Sequence, residues 1–448
     1  MKCIEAEIPF ELPEGWRWSR LGSLFSTITG NTPSTKNASL YGNDYPFYKP
    51  TDLEAGLYVY TSEAMVSEKG YQAGRGVPEH SVLITCIGAT IGKTGYIRNT
   101  GICNQQINAI LPHKFIAPEY TYFCMCSDFE QRQIWINSSS TTLPILNKSK
   151  FDNLLFPVPP LLEQSILIKE IKKLFQHVNI IQMEKSTLQE TLRLTKNKIL
   201  DLAIRGKLVP QDPNDEPASV LLERIKAEKE ELIKQGKIKR DKKESIIFKG
   251  DDNSYYEKLP DGKINCIDEQ LPFELPDGWK WCNLSMIGTT NIGLTYRPVD
   301  VDTQGIIVLR SCNIVNDEIN LTDLVRVKTS IRENQFVQKD DILICARNGS
   351  RSLVGKCTLI PKFDEKVSFG AFMAVYRTPY FNYIVHFLRS NFFRSVFDDS
   401  NSTAINQLTQ DMLKRAVVPL PPLAEQLKIV DKITELFERL NCIEESLN

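Results

Sequence analysis

Few residues in this chain could do chemistry, and their spacing excludes most of it. Gly88 to Thr94 reads GATIGKT, close to a loop that wraps phosphate in backbone N–H groups while a lysine reaches the outer oxygens. Such a loop needs one more residue before its Gly-Lys pair, and Ile87 stands where its first glycine should be. A later stretch, NGSRSLVGKC, keeps Gly355-Lys356 but ends on Cys357, which lacks a hydroxyl to hold magnesium. Both read as glycine-relaxed turns that present Lys93 and Lys356 on a surface. No nucleophile elbow and no HExxH pair occurs. The histidines His80, His113, His177 and His386 are not spaced as ligands, so no metal is expected. The 11 cysteines include no CxxC pair and read as reduced thiols of a cytoplasmic protein. The opening MKCIEAEIPFELPEGW has no secretory pattern, and the apolar run Val82 to Gly92 is too short to span a membrane. The expectation is a protein without a catalytic centre or cofactor of its own.

What remains is a set of polar and basic loops. With 54 Lys and Arg against 55 Asp and Glu, the net charge is −1, so any anion-binding face must be local. Lys and Arg position a protein on DNA phosphates, and Arg, Asn and Gln can bond base edges in pairs. These types recur at matched positions. YPFYKPTDL (Tyr45 to Leu53) corresponds to GIIVLRSCNI (Gly305 to Ile314), placing Lys49 opposite Arg310 and Asp52 opposite Asn313. Lys93 with Asn104, Gln105 and Gln106 follows in one copy; Arg347, Asn348, Ser350, Arg351 and Lys356 follow in the other. With Lys36, Arg75 and Arg297, these form the candidate DNA-binding set. Singly each could be a solvated surface residue; together they mark a face.

The elements that must position them are themselves duplicated. IPFELPEGWRW (Ile8 to Trp18) returns as LPFELPDGWKW (Leu271 to Trp281), and FPVPPLLEQ (Phe156 to Gln164) returns as VPLPPLAEQ (Val418 to Gln426). Between the markers lie short β-branched runs, VLITCI and DILICA, broken by Gly, Asn and Pro, and helical stretches. The pattern predicts α+β: two tandem-duplicated globular domains separated by long antiparallel coiled-coil helices. The boundaries are 1–158 for the first domain, 159–206 for a spacer helix, 207–270 for a charged linker with a helix, 271–420 for the second domain and 421–448 for a shorter spacer helix. In the first helix Leu167, Ile171, Leu174, Val178, Ile181, Lys185, Leu188, Leu192, Thr195, Ile199 and Leu202 form a seam alternating four and three apart. Ile429, Ile433, Leu436, Leu440, Ile443 and Leu447 repeat it. A lone helix with such a stripe is unstable in water, so the copies are expected to bury their stripes against each other. At 1.5 Å per residue the first helix spans roughly 65 to 70 Å and the second about 40 Å. The linker helix after Pro217 mixes charges, with Arg224 spaced to pair with Glu228, and the stretch to Gln270 reads as connector.

The duplicated LPxGWxW lead-ins, the duplicated PxPPLxEQ exits, the heptad helices and KILDLAIRGKLVPQDPNDEPASVLLERIKAEKEELI (Lys198 to Ile233) together resemble the specificity subunit of type I restriction-modification systems. The resemblance covers nearly the whole chain. It implies two target-recognition domains, each reading half of an interrupted DNA sequence, on helices whose length acts as a ruler. It implies two methyltransferase subunits docked on the helices, with S-adenosylmethionine bound by those partners, and a restriction and translocation subunit for cleavage. It assigns Trp16, Trp18, Trp279 and Trp281 to domain cores, starts the spacer helices at Pro159-Pro160 and Pro421-Pro422, and puts Glu163 and Glu425 in their first turns, where an acid suits the helix dipole. The shorter second helix departs from that pattern. A coiled-coil scaffold that binds protein and does not read DNA is the alternative.

Overall fold

A computed structural model describes residues 7–8, 10–139, 143–236, 245–398 and 407–447. The chain forms two compact units, Met1–Met183 and Glu184–Asn448.

Each unit closes on a neck. In the first, Arg17–Arg20 pairs antiparallel with Leu155–Val158, setting Trp18 opposite Pro157; in the second, Lys280–Asn283 pairs with Val417–Leu420, setting Trp281 opposite Pro419. The duplicated sequence markers are thus the two strands of one ribbon. Trp18 sits between Phe10 and Phe129, with centroids 5.2 and 5.5 Å away, and Trp281 between Phe273 and Phe392, at 5.1 and 6.1 Å. Trp279 and Trp281 are buried as expected, whereas Trp16 and Trp18 are only half-buried.

Above each neck stand two sheets, the first of the same order in both units and the second of four strands in one and three in the other. Thr27–Thr29, Ile107–Ile110, Val82–Thr85 and Thr94–Tyr96 form an antiparallel sheet in that order; its counterpart is Thr289–Ile292, Met373–Arg377, Ile342–Cys345 and Cys357–Leu359. A second sheet in each unit contains a parallel pair, Tyr41–Tyr48 with Gly101–Cys103 and Val301–Leu309 with Val367–Phe369. The runs Val82–Thr85 and Ile342–Cys345 are buried at every position because successive side chains serve different cores. Val82 and Ile84 join the core that reaches the neck strand through Phe156, and Leu83 joins the other; Ile342 and Ile344, with Leu343 and Cys345, divide likewise.

The second unit's sheet is tied at the end of its two central strands by Asp341, 3% exposed, which accepts from Arg377 at 2.8 and 2.9 Å and from the Gln338 N–H at 2.7 Å. Asp341→Ala leaves a largely buried guanidinium unpaired and is expected to cost about 3 kcal/mol of this unit's stability. Urea unfolding measures it, and a loss below about 1 kcal/mol, the scale of an exposed pair, would contradict this account.

The stretch before the second neck is more than connector. Ala218–Lys234 is a helix whose Ala218 and Leu221 are buried in the second unit's core, and Lys229 Nζ donates to Ser285 O at 2.7 Å. Arg224 pairs with Glu216 at 2.8 Å, so the expected partner Glu228 is replaced by a residue ahead of the helix. Ile246–Lys249, Tyr255–Lys258 and Ile264–Cys266 form a three-stranded sheet, and Asn283 Nδ2 in the neck donates to Ser245 Oγ at 2.6 Å. The end of the predicted linker helix, residues 237–244, lies outside the described residues.

The spacer helices are Leu161–Ile204 and Leu423–Ser446, 44 and 24 residues long. Their starts are fixed by the glutamines of the repeated exits: Gln164 Nε2 donates to Pro159 O and Gln426 Nε2 to Pro421 O, both at 3.0 Å. Within the second unit the helices run antiparallel. Lys196 pairs with Glu444 at 2.6 Å, Lys428 with Asp215 at 3.1 Å, and Ile199, Leu200, Ala203 and Ile204 share a core with Ile429 and Ile433. Leu192 is buried, Leu202, Leu436, Leu440 and Leu447 are half-buried, and Ile443 is exposed. In the first unit Leu167 and Ile171 are half-buried.

The expectation that the copies bury their stripes against each other holds only toward the ends and not in the middle, where Leu174, Val178, Ile181 and Leu188 are exposed. A stripe of 24 residues can match only part of one 44 residues long. Among the described residues, no helix is long and apolar enough to cross a membrane.

Candidate nucleic-acid interface

At the end of each unit's sheets, loops are joined by hydrogen bonds that match between the copies. In the first unit, the Asn104 N–H donates to Tyr48 O at 3.1 Å and the Cys86 N–H to Gln106 O at 2.6 Å. In the second, the Gly370 N–H donates to Leu309 O and the Ala346 N–H to Phe372 O, each at 2.9 Å. The loop after the first sheet strand approaches the same place through a glycine: a Cβ on Gly30 would lie 2.2 Å from Cys103 O, and one on Gly293 2.2 Å from Gly370 O. Only glycine permits that approach. Asp52 Oδ2 accepts from the Lys49 N–H at 2.7 Å and Asn313 Oδ1 from the Arg310 N–H at 2.9 Å, so the alignment of Lys49 with Arg310 holds in three dimensions.

These contacts gather part of the candidate set. In the first unit, Lys49 is exposed, with Nζ 5.6 Å from the Phe47 ring centroid. Exposed Gln105 accepts from Thr32 Oγ at 2.5 Å, and the buried Asn104 donates to Gln106 Oε1 at 3.0 Å, fixing that side chain. Arg75 is anchored to this group by its N–H to Asn31 Oδ1 at 2.7 Å and its guanidinium to Thr29 O at 2.9 Å. Lys36 is exposed in the same loop as Thr32.

In the second unit, Arg347 is exposed and lies over the Phe372 ring at 5.4 Å, and Asn348 donates to Ser311 Oγ at 3.2 Å. Ser350 and Arg351 are exposed beside them. Arg310 pairs with Asp323 at 2.9 Å, yet its Nε–H is buried without a partner. Arg297 is exposed and pairs with Asp300 at 3.2 Å, closing its own turn.

Three further candidates are engaged within the fold. Lys93 is not simply presented on a surface: its Nζ pairs with Glu54 at 2.8 Å. Lys356 Nζ donates to Ile314 O, holding the turn. Asn313 is fully buried, donating to Asn320 O at 3.0 Å and Asp323 O at 2.8 Å, so it cannot reach a ligand without breaking that turn.

The loops also contain residues that the sequence did not single out, namely Thr32, Tyr296, Ser311 and Phe372. Matching the strand-turn-strand runs around Ile107 and Met373 would have found Phe372, because Gln106 and Phe372 occupy equivalent backbone positions.

Comparison with known proteins agrees with this duplicated architecture. The family described as "Type I restriction modification DNA specificity domain" matches residues 13–192 and 303–448. The chain is 33% identical over 264 residues to the type I restriction enzyme EcoAI specificity subunit of Escherichia coli, covering 57% of this chain and 41% of that protein. It is 30% identical over 267 residues to the EcoEI specificity subunit of the same species, covering 56% and 41%. The matches therefore span about two fifths of the length of these curated relatives.

A solved chain described by "complex assembly and conformational transition of the type I R-M system" aligns over 98% of this chain and 94% of its own, with a TM-score of 0.65 at 17% identity. The HsdS subunit from Thermoanaerobacter tengcongensis aligns over 99% and 94%, with a TM-score of 0.55 at 17% identity. At that identity the likeness concerns the fold, which is α+β with the recognition domain duplicated. With the family matched across both copies, joined by one long helix, the chain belongs to the type I restriction modification DNA specificity domain family.

Proposed function

We propose that this chain is the DNA specificity subunit of a type I restriction-modification complex, each unit reading one half of a bipartite target. The observation that carries this is the paired loop sets, matched bond for bond in backbone but carrying different side chains: Lys49, Gln105 and Gln106 in one, Arg310, Arg347 and Phe372 in the other. A duplicated frame with divergent edges suits two different half-sites. Exposed Lys49, Arg347 and Arg351 supply phosphate contacts, while Gln105, Gln106 and Arg310 supply base-edge bonds. Lys93 and Lys356 support the loops from behind.

The chain itself is non-catalytic in this reading. Methyltransferase subunits dock on the helices, supported by the exposed apolar run Leu174, Val178 and Ile181, and they bind S-adenosylmethionine. The restriction subunit joins that assembly, which works in the cytoplasm. The test is to express the chain with its methyltransferase partner and map methylated sites across a genome. An interrupted two-part motif is expected. A continuous motif would refute the two-reader model, and methylation without sequence preference would favour the scaffold alternative.

A further inference from the structure

One turn carries different side chains in the two units. It is closed by the Ile107 N–H donating to Asn104 O at 3.1 Å in the first and by the Met373 N–H donating to Gly370 O at 2.8 Å in the second. Its tip presents Gln105 and Gln106 in one, Ala371 and Phe372 in the other. The two glutamine amides are oriented from within the loop. The Gln106 N–H donates to Asn104 Oδ1 at 3.1 Å, which fixes that oxygen and leaves Asn104 Nδ2 to donate to Gln106 Oε1 at 3.0 Å. Gln106 therefore turns its oxygen toward Asn104 and its Nε2 to the other side, where Gly88 has no side chain and a Cβ would stand 3.7 Å from that nitrogen. Gln105 Oε1 accepts from Thr32 Oγ at 2.5 Å, a distance that suits O–H···O and not N–H···O, so its Nε2 also faces away from the loop. Gln105 is exposed and Gln106 half-buried, and among the described residues neither Nε2 has a partner or is enclosed.

The turn thus offers two amide donors, with both amide oxygens engaged inside the loop. Among the four bases, only guanine sets two acceptors, O6 and N7, side by side on its major-groove edge. Adenine pairs the N7 acceptor with an amino donor, cytosine presents a donor, and thymine presents one acceptor beside a methyl. We infer that the Gln105–Gln106 turn reads a guanine in the first unit's half-site, with Gln106 Nε2 donating to O6 and Gln105 Nε2 to N7. The inference rests on the DNA-reading function proposed above and specifies one base of it. In the second unit Ala371 and Phe372 supply no side-chain donor at this turn.

The test uses the complex of this chain with its methyltransferase partner and duplexes carrying its mapped target. The first unit's half-site is the half that an exchange of residues 284–416 leaves unchanged. At one guanine in it, replacement by 7-deazaguanine removes the N7 acceptor and should weaken binding about tenfold, the scale of one base-edge hydrogen bond. Inosine, which keeps O6 and N7, should bind like guanine. Gln105→Leu, at an exposed position, should bind the guanine and 7-deazaguanine duplexes equally. Asn104→Asp keeps the acceptor for the Gln106 N–H but replaces the Nδ2 donor by an oxygen, so the Gln106 amide turns over and shows Oε1. Its preference for guanine over adenine at that position should then fall about tenfold or more, because adenine offers the matching amino donor.

The inference is overturned if that half-site contains no G·C pair, if every guanine in it tolerates 7-deazaguanine, or if Gln105→Leu still distinguishes the two duplexes. It is also overturned if folded Asn104→Asp keeps the full preference for guanine over adenine. Where Asn104→Asp does not fold, Gln106→Leu removes the donor to O6 and must lose that preference, and its retention overturns the inference equally. A complex that binds all duplexes alike overturns the DNA-reading function as well, whereas sequence-selective binding indifferent to N7 overturns the guanine seat alone.

Discussion

Exchanging residues 284–416 for the corresponding segment of another member of the family is expected to replace one half of the methylated motif completely and leave the other half unchanged. The reason lies in the neck. Asn283 is paired with Val417, and the Leu284 N–H donates to Ala416 O at 3.0 Å, so the segment leaves and returns at adjacent points of one antiparallel ribbon. Everything above that ribbon can be replaced without altering the strands that hold it. A junction at Leu271 would be worse, because it would also exchange Asn283, which bonds to Ser245. The first unit has the same construction, with Arg20 paired to Leu155 and the Leu21 N–H donating to Leu154 O at 2.9 Å. Methylation mapping of the exchanged protein decides the matter. Both halves changing together would refute independent readers.

Inserting seven residues into the exposed part of the first spacer helix is expected to lengthen the gap between half-sites by about three base pairs. Residues 173–191 are exposed throughout, so an insertion there disturbs no core. Seven residues add about 10 Å of helix and return the following side chains to within about 20° of their former direction. At about 3.4 Å per base pair this gives the stated gap. The pairing of Lys196 with Glu444 and the packing of Ile199 near Ile429 lie beyond the insertion and should persist. A motif with an unaltered gap would remove the ruler role from this helix. Loss of methylation with the fold intact would show that the partner subunits need the original length.

The sequence by itself determined the duplication and the α+β class, because these follow from repeated markers and from periodicity. Trp-x-Trp and Pro-Pro appear twice because each pair of markers builds one neck ribbon, a local geometry that short motifs can encode. The a/d spacing likewise announced the helix ends that pack, Ile199 and Ile429 among them.

Tertiary structure alone decided which polar residues are free. Asn313 and Lys356 look like readers in sequence, yet one is fully buried and the other donates to Ile314 O, because loop backbone needs side-chain partners that no spacing rule reveals. Tertiary structure also decided that the middle of the long seam stays exposed and that residues 246–266 form a sheet against the second neck. Its least legible result is the equivalence of Gln106 and Phe372. It depends on hydrogen bonds from Cys86 and Ala346, more distant in the chain, and sets an amide edge in one unit against an apolar ring in the other.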